Sequence, residues 1–319
     1  MADKNNTADH LEAKQGDNLE VKQVDKNKIR KAHLFAFFTI FIWGTTFTST
    51  KMLLIDFSPT EILFFRFLLG YIALLMASPH FIKYKNKREE LLFAGAGICG
   101  VTLYFILQNT ALTYTLASNA GVLVSVAPFF TAILSYFLLD GEPFNKRFFI
   151  GFIVSIIGII LIGYNGNYIL ELNPLGDILA ILSAAVWAVY SILMKKISKF
   201  NYNIIQCTRK IFFYGLLFLL PMLPLFGFQL DMARFASIPN LFNMLFLGLG
   251  ASALCFVTWN YALGILGAVK TSVYIYISPV VTIVVSAIIL HEKITIVAII
   301  GVIFILSGLY LSEKKSLRK

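Results

Sequence analysis

WGTTFTSTK, residues Trp43–Lys51, stands in a stretch that is otherwise nearly all apolar, and WAVYSILMK, residues Trp187–Lys195, repeats its two end residues 144 positions later. Further landmarks recur outward from this pair in the same order. Arg66 and Arg209 are 143 positions apart; Asn109 and Asn260 are 151 apart, as are Pro128 and Pro279; Glu142/Glu292, Gly151/Gly301 and Gly158/Gly308 are each 150 apart. Longer segments also line up, QNTALTYTLA with WNYALGILGA and GEPFNKRFFIGFIVSIIG with HEKITIVAIIGVIFILSG. One order of landmarks with little drift in spacing marks a duplicated unit, and Trp and Lys recur because the unit recurs.

The unit is suited to a bilayer. Hydrophobic residues fill 58% of the 319 positions, charged residues only 14%, and the mean hydropathy is +0.78. A soluble domain carries about 25% charge, and one this apolar would expose more hydrophobic surface than water tolerates. Apolar segments long enough to span, about 20 residues each, fall at approximately 32–54, 58–79, 90–113, 116–139, 147–164, 175–195, 203–226, 239–264, 269–290 and 294–312. The expected fold is therefore an all-α membrane protein of ten transmembrane helices. Residues 32–165 form a first five-helix repeat and 175–312 a second. Residues 1–31 are polar and mixed in charge, the composition of a disordered tail, and 313–319 form a short basic one. The start of the chain lacks the apolar core and cleavage site of a signal peptide.

The formal net charge of +10 could suggest nucleic acid, but the basic residues form short clusters between apolar runs rather than one stripe. With a cytoplasmic N-terminus, the inside segments hold Lys28, Arg30, Lys31, Lys83, Lys85, Lys87, Arg88, Lys146, Arg147, Lys195, Lys196, Lys199 and the final Lys314, Lys315, Arg318 and Lys319. The outside loops keep little beyond Arg234 and Lys293. This pattern is the positive-inside rule, met at both termini by an even number of spans in the cell membrane, so the partner is lipid and not nucleic acid. The three cysteines, scattered in apolar runs, have neither zinc-ligand nor disulfide spacing, and no cofactor is expected.

Five spans per unit is an odd number, so the second copy enters the membrane from the opposite face. Inverted repeats of this kind are a common plan of secondary transporters, with the substrate near the midplane between the repeats. The landmarks resemble the drug/metabolite transporter superfamily in its ten-helix EamA-type branch. They are the WG of Trp43–Gly44 with a following Lys51, SPTEILFFRF in the second helix, and Pro128 then Gly141–Glu142 around the fourth. The resemblance covers about residues 32–312; the second copy departs from it at Ala188, which follows Trp187 in place of glycine, and at HEK in place of GE. It implies transport of small organic solutes, often amino acids or other metabolites and commonly exported, and names no particular cargo.

Several residues are candidates for that work. Pro128 and Pro279 each remove a backbone hydrogen bond mid-helix, which a membrane helix tolerates beside a cavity, and their symmetric placement suggests gating. Arg66 lies well inside a span, where a central arginine costs about 2.5–3.5 kcal/mol; it could attract a substrate carboxylate, with Glu61 as a candidate internal partner. Arg209 has the stronger structural reading, being nearer the inner face beside Lys210. Trp43, Thr46, Tyr104, Asn109, Trp187, Trp259, Asn260 and Tyr274 could line a cavity, aromatic rings stacking on an apolar body and amides orienting it. The competing reading gives these residues to interfacial belts and interhelical hydrogen bonds. Lys51 and Lys195, near helix ends, can snorkel. Paired glycines read as close-packing positions, and the fifth and tenth helices, free of interior charge, are expected to face lipid or a second copy in a homodimer.

The sequence has no GxxxxGK[ST] phosphate loop, so ATP hydrolysis by this chain is excluded. From Asp56 onward the acidic residues sit near helix ends or in loops, which favours facilitated diffusion or exchange over proton coupling. A membrane-embedded enzyme would need clustered His, Asp, Glu or Cys in the spans, and none occurs. A channel or receptor without carrier activity is the remaining alternative, and an ordered inverted repeat with paired prolines speaks for a carrier instead.

Overall fold

The computed structural model describes residues 3–115, 117–139, 146–163, 174–289 and 295–313. Glu142, Glu292, Lys293 and the basic tail from Lys314 lie outside the described residues. Among the described residues the chain forms ten long helices. They are α1 (Asp3–Leu53), α2 (Pro59–Ala77), α3 (Lys87–Tyr114), α4 (Ala120–Leu138), α5 (Lys146–Gly163), α6 (Pro174–Ser198), α7 (Ile204–Met222), α8 (Ile238–Leu266), α9 (Ala268–Ile289) and α10 (Ile296–Glu313). Eight are long and apolar enough to span, α1 contributing Lys26–Leu53, while the apolar parts of α5 and α10, Phe148–Gly158 and Ile299–Gly308, are shorter. The backbone of α1 runs helical through the segment expected as a tail, in keeping with its Ala, Glu, Lys, Leu and Gln content.

Local chemistry sets the helix ends. Ser58 caps α2 in a capping box with Glu61, and Pro59 stands at the first turn, where its missing N–H costs nothing. The side chain of Asn86 caps α3 and that of Asn203 caps α7. Gly267 alone separates α8 from α9, and its φ of 93° is a conformation an L side chain rarely adopts.

The packing carries the repeat. Helix α1 lies on α8 and α9, and its counterpart α6 lies on α3 and α4; α2 lies on α8, and α7 on α3. The symmetric pairs α2·α7, α4·α9 and α5·α10 also touch. A pseudo-two-fold axis thus relates the two five-helix repeats, and most contacts run between repeats. Glycines allow the closest crossings. A Cβ on Gly97 would meet the Tyr214 Cβ at 2.6 Å, and one on Gly248, 151 positions later, would meet the Leu69 Cβ at 2.7 Å. α5 and α10 cross with no room for a Cβ on Gly158 against the Gly301 carbonyl, while Ile150, Ile153 and Ile157 on one and Ile299 and Ile303 on the other stay exposed. They face each other on one side and the hydrocarbon on the other.

Two irregularities recur with the repeat. A π-helical segment interrupts α3 at Ile98–Leu103 and α8 at Phe246–Leu254. Both α4 and α9 break just before their proline: regular helix resumes at Ala127 ahead of Pro128, and at Ser278 ahead of Pro279, after a 3-10 turn over Val273–Ile277. Neither proline can donate to the carbonyl four residues earlier, that of Val124 or of Ile275.

The lysines of the opening motif have a definite structural task. Lys51 Nζ donates to the carbonyls of Leu112, at 2.5 Å, and Thr115, at 3.1 Å, closing the C-terminus of α3. Lys195 Nζ donates to the Gly264 carbonyl at 2.8 Å, closing the C-terminus of α8. A cation at a helix C-terminus meets both the last unpaired carbonyls and the negative end of the macrodipole.

Candidate functional site

At the centre, α1, α2, α3, α4, α6 and α9 surround a small cavity of about 50 Å³. Helix α1 lines it with Ile40, Trp43, Thr46 and Phe47, α2 with Arg66, α3 with Tyr104 and Phe105, α4 with Val124, α6 with Trp187 and α9 with Ile275 and Ser278. Val124 and Ile275 are the residues whose carbonyls the two prolines cannot serve, so both helix breaks lie against the cavity wall.

The wall is aromatic. Trp43 and Trp187, one from each repeat, meet edge to face with ring centroids 5.2 Å apart. Tyr104 adds a ring 4.9 Å from Trp187, while Trp259 and Phe256 stand behind Trp43 at 5.2 and 5.5 Å. The indole N–H of Trp43 donates to the Ala251 carbonyl at 2.8 Å, inside the π-helical segment of α8. Segments of this kind leave backbone carbonyls without their regular partners and often mark functional positions.

Among the described residues Arg66 is the one charged side chain on the cavity wall, and it is only 2% exposed. Its Nε donates to Ser252 Oγ at 3.0 Å, again in the π-helical segment of α8. The guanidinium lies 4.3 Å from the Phe105 centroid and 5.3 Å from that of Phe67. Cation–π contacts of this kind orient the planar fork without neutralising it. No ion pair reaches Arg66 among the described residues.

The expectation that Glu61 is its internal partner is corrected. Glu61 accepts two hydrogen bonds from Arg234, at 3.0 and 3.1 Å, and others from the backbone N–H groups of Ser58 and Gln229. Capping α2 turns the Glu61 side chain toward the helix end, one turn away from Arg66. The carboxylate's hydrogen bonds also raise the Arg234 guanidinium above its ordinary pKa. Arg234 further donates to the Asp56 carbonyl, and Asn240 to the Asp56 carboxylate. These bonds strap the α7–α8 connection over the α1–α2 turn at the Lys51 end of the bundle.

Arg209 lies two residues from Ile211, the position that matches Arg66, and has other surroundings. It donates to the carbonyls of Ser78 and His80, just past the end of α2, and its guanidinium lies 4.3 Å from the Phe81 centroid. Beside it, Lys210 pairs with Glu90 at 2.8 Å, and Tyr214 donates to the same carboxylate. These groups tie the opposite, basic end together, where Lys83, Lys85, Lys87, Arg88, Lys195, Lys196 and Lys199 collect.

Of the residues expected at the site, the structure brings Trp43, Thr46, Arg66, Tyr104 and Trp187 together on the cavity wall and places Trp259 behind it. It puts the others elsewhere. Asn109 donates to the Pro59 carbonyl at the Lys51 end. Asn260 accepts from the Tyr190 hydroxyl at 2.6 Å and donates to Thr208 Oγ1, an interhelical tie. Tyr274 shares a 2.6 Å hydrogen bond with His33 near the basic end. Sequence reading missed Ser252 and Phe105, because one small hydroxyl and one phenyl ring in apolar spans carry no signal of their own.

Known proteins agree with this architecture. The model of the EamA-like transporter family matches residues 30–164 and again 174–313, one match per repeat. An uncharacterized transporter of Archaeoglobus fulgidus is 31% identical over 89% of this chain and 98% of its own length. A probable terminal-alkyne amino-acid exporter of Streptantibioticus cattleyicolor is 26% identical over 91% of this chain and 96% of its own. A solved crystal structure at 18% identity shares the fold, with a TM-score of 0.68 over 88% of this chain and 97% of that one. The duplicated five-helix unit, its inverted packing and these matches together make this chain a multi-pass membrane transporter of the EamA-like family, within the drug/metabolite transporter superfamily.

Proposed function

We propose that the chain moves small carboxylate-bearing metabolites, amino acids or related compounds, out of the cell across the cytoplasmic membrane by alternating access. The observation that carries this reading is Arg66, a buried cation with no ionic partner among the described residues, on the wall of a central aromatic cavity. A substrate carboxylate completes the guanidinium's hydrogen bonding in a low-dielectric site, where charge-assisted bonds are strongest. Trp43, Trp187 and Tyr104 then hold an apolar body. The breaks before Pro128 and Pro279 supply two points of bending at the cavity, and the polar ties at the two ends open in turn. Both termini lie on the cytoplasmic side, by the charge pattern. Transport is facilitated or by exchange, because no carboxylate lines the cavity among the described residues to carry a coupling proton.

Purified protein in liposomes loaded with a labelled mixture of amino acids and metabolites tests this, with and without a pH gradient. Selective, saturable release of a few carboxylate compounds, lost in Arg66→Ala, is the expected result. No release above protein-free vesicles from folded protein would overturn it, and release that follows the pH gradient would replace uncoupled transport with proton coupling.

A further inference from the structure

The cavity has a charge imbalance that narrows the cargo. Arg66 contributes one positive charge, and its recorded contacts are a hydroxyl on Nε and two ring faces. An ammonium group would find aromatic, aliphatic and hydroxyl side chains on the wall, and no carboxylate among the described residues. The nearest acid along the same helix, Glu61, is held by Arg234 and two backbone N–H groups. The wall hydroxyl of Thr46 is itself tied to the Trp43 carbonyl at 2.7 Å.

We propose that the preferred cargo is a monoanion, a small carboxylate with an aromatic or bulky apolar body and no free ammonium group, and that the membrane potential drives its export. This rests on the carrier reading above and narrows its cargo from amino acids at large to carboxylates whose amine is blocked or absent. A monoanion brings the buried site to neutrality. A zwitterion leaves the site with a net positive charge and offers its own ammonium group ring faces, which Arg66 already shares, but no counter-ion among the described residues. The energetic consequence follows from the same charge. One negative charge leaving a cell whose interior is negative moves downhill, and a potential of about 100 mV multiplies the equilibrium ratio of a monoanion about fiftyfold. Such a carrier needs no coupling ion, which accords with a cavity wall that offers no carboxylate to bind one.

The test compares two cargoes with the same phenyl body in proteoliposomes of the full chain. One is labelled N-acetylphenylalanine, a monoanion, and the other labelled phenylalanine, a zwitterion. Each is released with and without an inside-negative potential set by potassium and valinomycin. N-acetylphenylalanine should leave at least tenfold faster than phenylalanine, and its rate should rise with the potential while any phenylalanine flux stays unchanged. Arg66→Gln should abolish the preference, and Arg66→Lys, which keeps the charge, should retain part of it. Phenylalanine leaving as fast as its acetylated form, or an acetylated flux indifferent to the potential, overturns this proposal and leaves the carrier reading intact. Release of other metabolites but neither of these two does the same. No release of any compound overturns both.

Discussion

Arg66 and Arg209 fall at similar depths of their repeats but not at equivalent places. The caps Ser58 and Asn203, and Gly70 and Gly215, align α2 with α7 at 145 positions, which sets Ile211 rather than Arg209 opposite Arg66. Arg209 is consumed by structure: two backbone carbonyls past the end of α2 take its guanidinium, and Phe81 covers it. Arg66 has one hydroxyl partner and otherwise faces rings and a cavity. The position that holds Ser252 beside Arg66 is filled, 151 positions earlier, by Val101. A displacement of two residues between otherwise aligned helices therefore turns one cation to the chain past α2 and the other to the centre.

Exchanging the two fates is the sharpest way to break this comparison. If Arg66 binds cargo as proposed, Arg66→Gln should reduce transport on the order of a hundredfold while costing little thermal stability in detergent, because the bundle itself offers the guanidinium one hydroxyl and two ring faces. Arg209→Gln should do the reverse, costing about 1–3 kcal/mol of stability through the carbonyls it leaves unpaired and leaving cargo preference unchanged. Equal transport losses with equal stability losses would sink the assignment.

The glycine crossings test whether the halves are mechanically equivalent. Gly97→Ala and Gly248→Ala should each cost about 1–3 kcal/mol, since a Cβ at either position meets a neighbouring Cβ closer than real contacts allow. The same loss of melting temperature is expected from both, and a large difference would mean that only one repeat depends on its close approach. At the Lys51 end, Arg234→Ala should lower stability by about 1 kcal/mol or more by leaving Glu61, 2% exposed, without its ionic partner. The smallest effects belong to the lysines of the opening motif. Lys51→Met and Lys195→Met should each cost about 0.3–1 kcal/mol, as each uncovers one helix C-terminus, and thermal unfolding of the single and double variants should show additive losses.

Much of this was legible in the sequence, because a repeat converts one observation into two. The ordered offsets predicted ten helices in two units, and the even count follows from the charge clusters. Arg66, Trp43 and Trp187 were legible because an interior charge and repeated aromatics are costly or rare in a span. The fate of Asn109, Asn260 and Tyr274 was not. Spacing places a residue at a depth in the membrane, and the face it takes depends on where its helix packs. Asn260 turns to Tyr190 and Thr208 rather than to the cavity for that reason. The partner of Glu61 was out of reach because Arg234 sits in a polar connection 173 positions away, with no periodicity to tie the two together.

The contacts between repeats also bear on how the chain is made. α1 finds its neighbours in α8 and α9, α2 in α8, and α5 in α10, so the first half enters the bilayer before most of its packing surface exists. At ordinary rates of synthesis, about 5–20 residues per second, residues 174–313 follow over roughly 10–30 s. During that interval the first five helices carry a charged Arg66 and open glycine faces with no matching surface. The chain thus folds as a dimer assembles, with a covalent tether in place of diffusion. Expressed as two separate polypeptides cut between residues 164 and 173, the halves should each be degraded alone and rescue one another when made together.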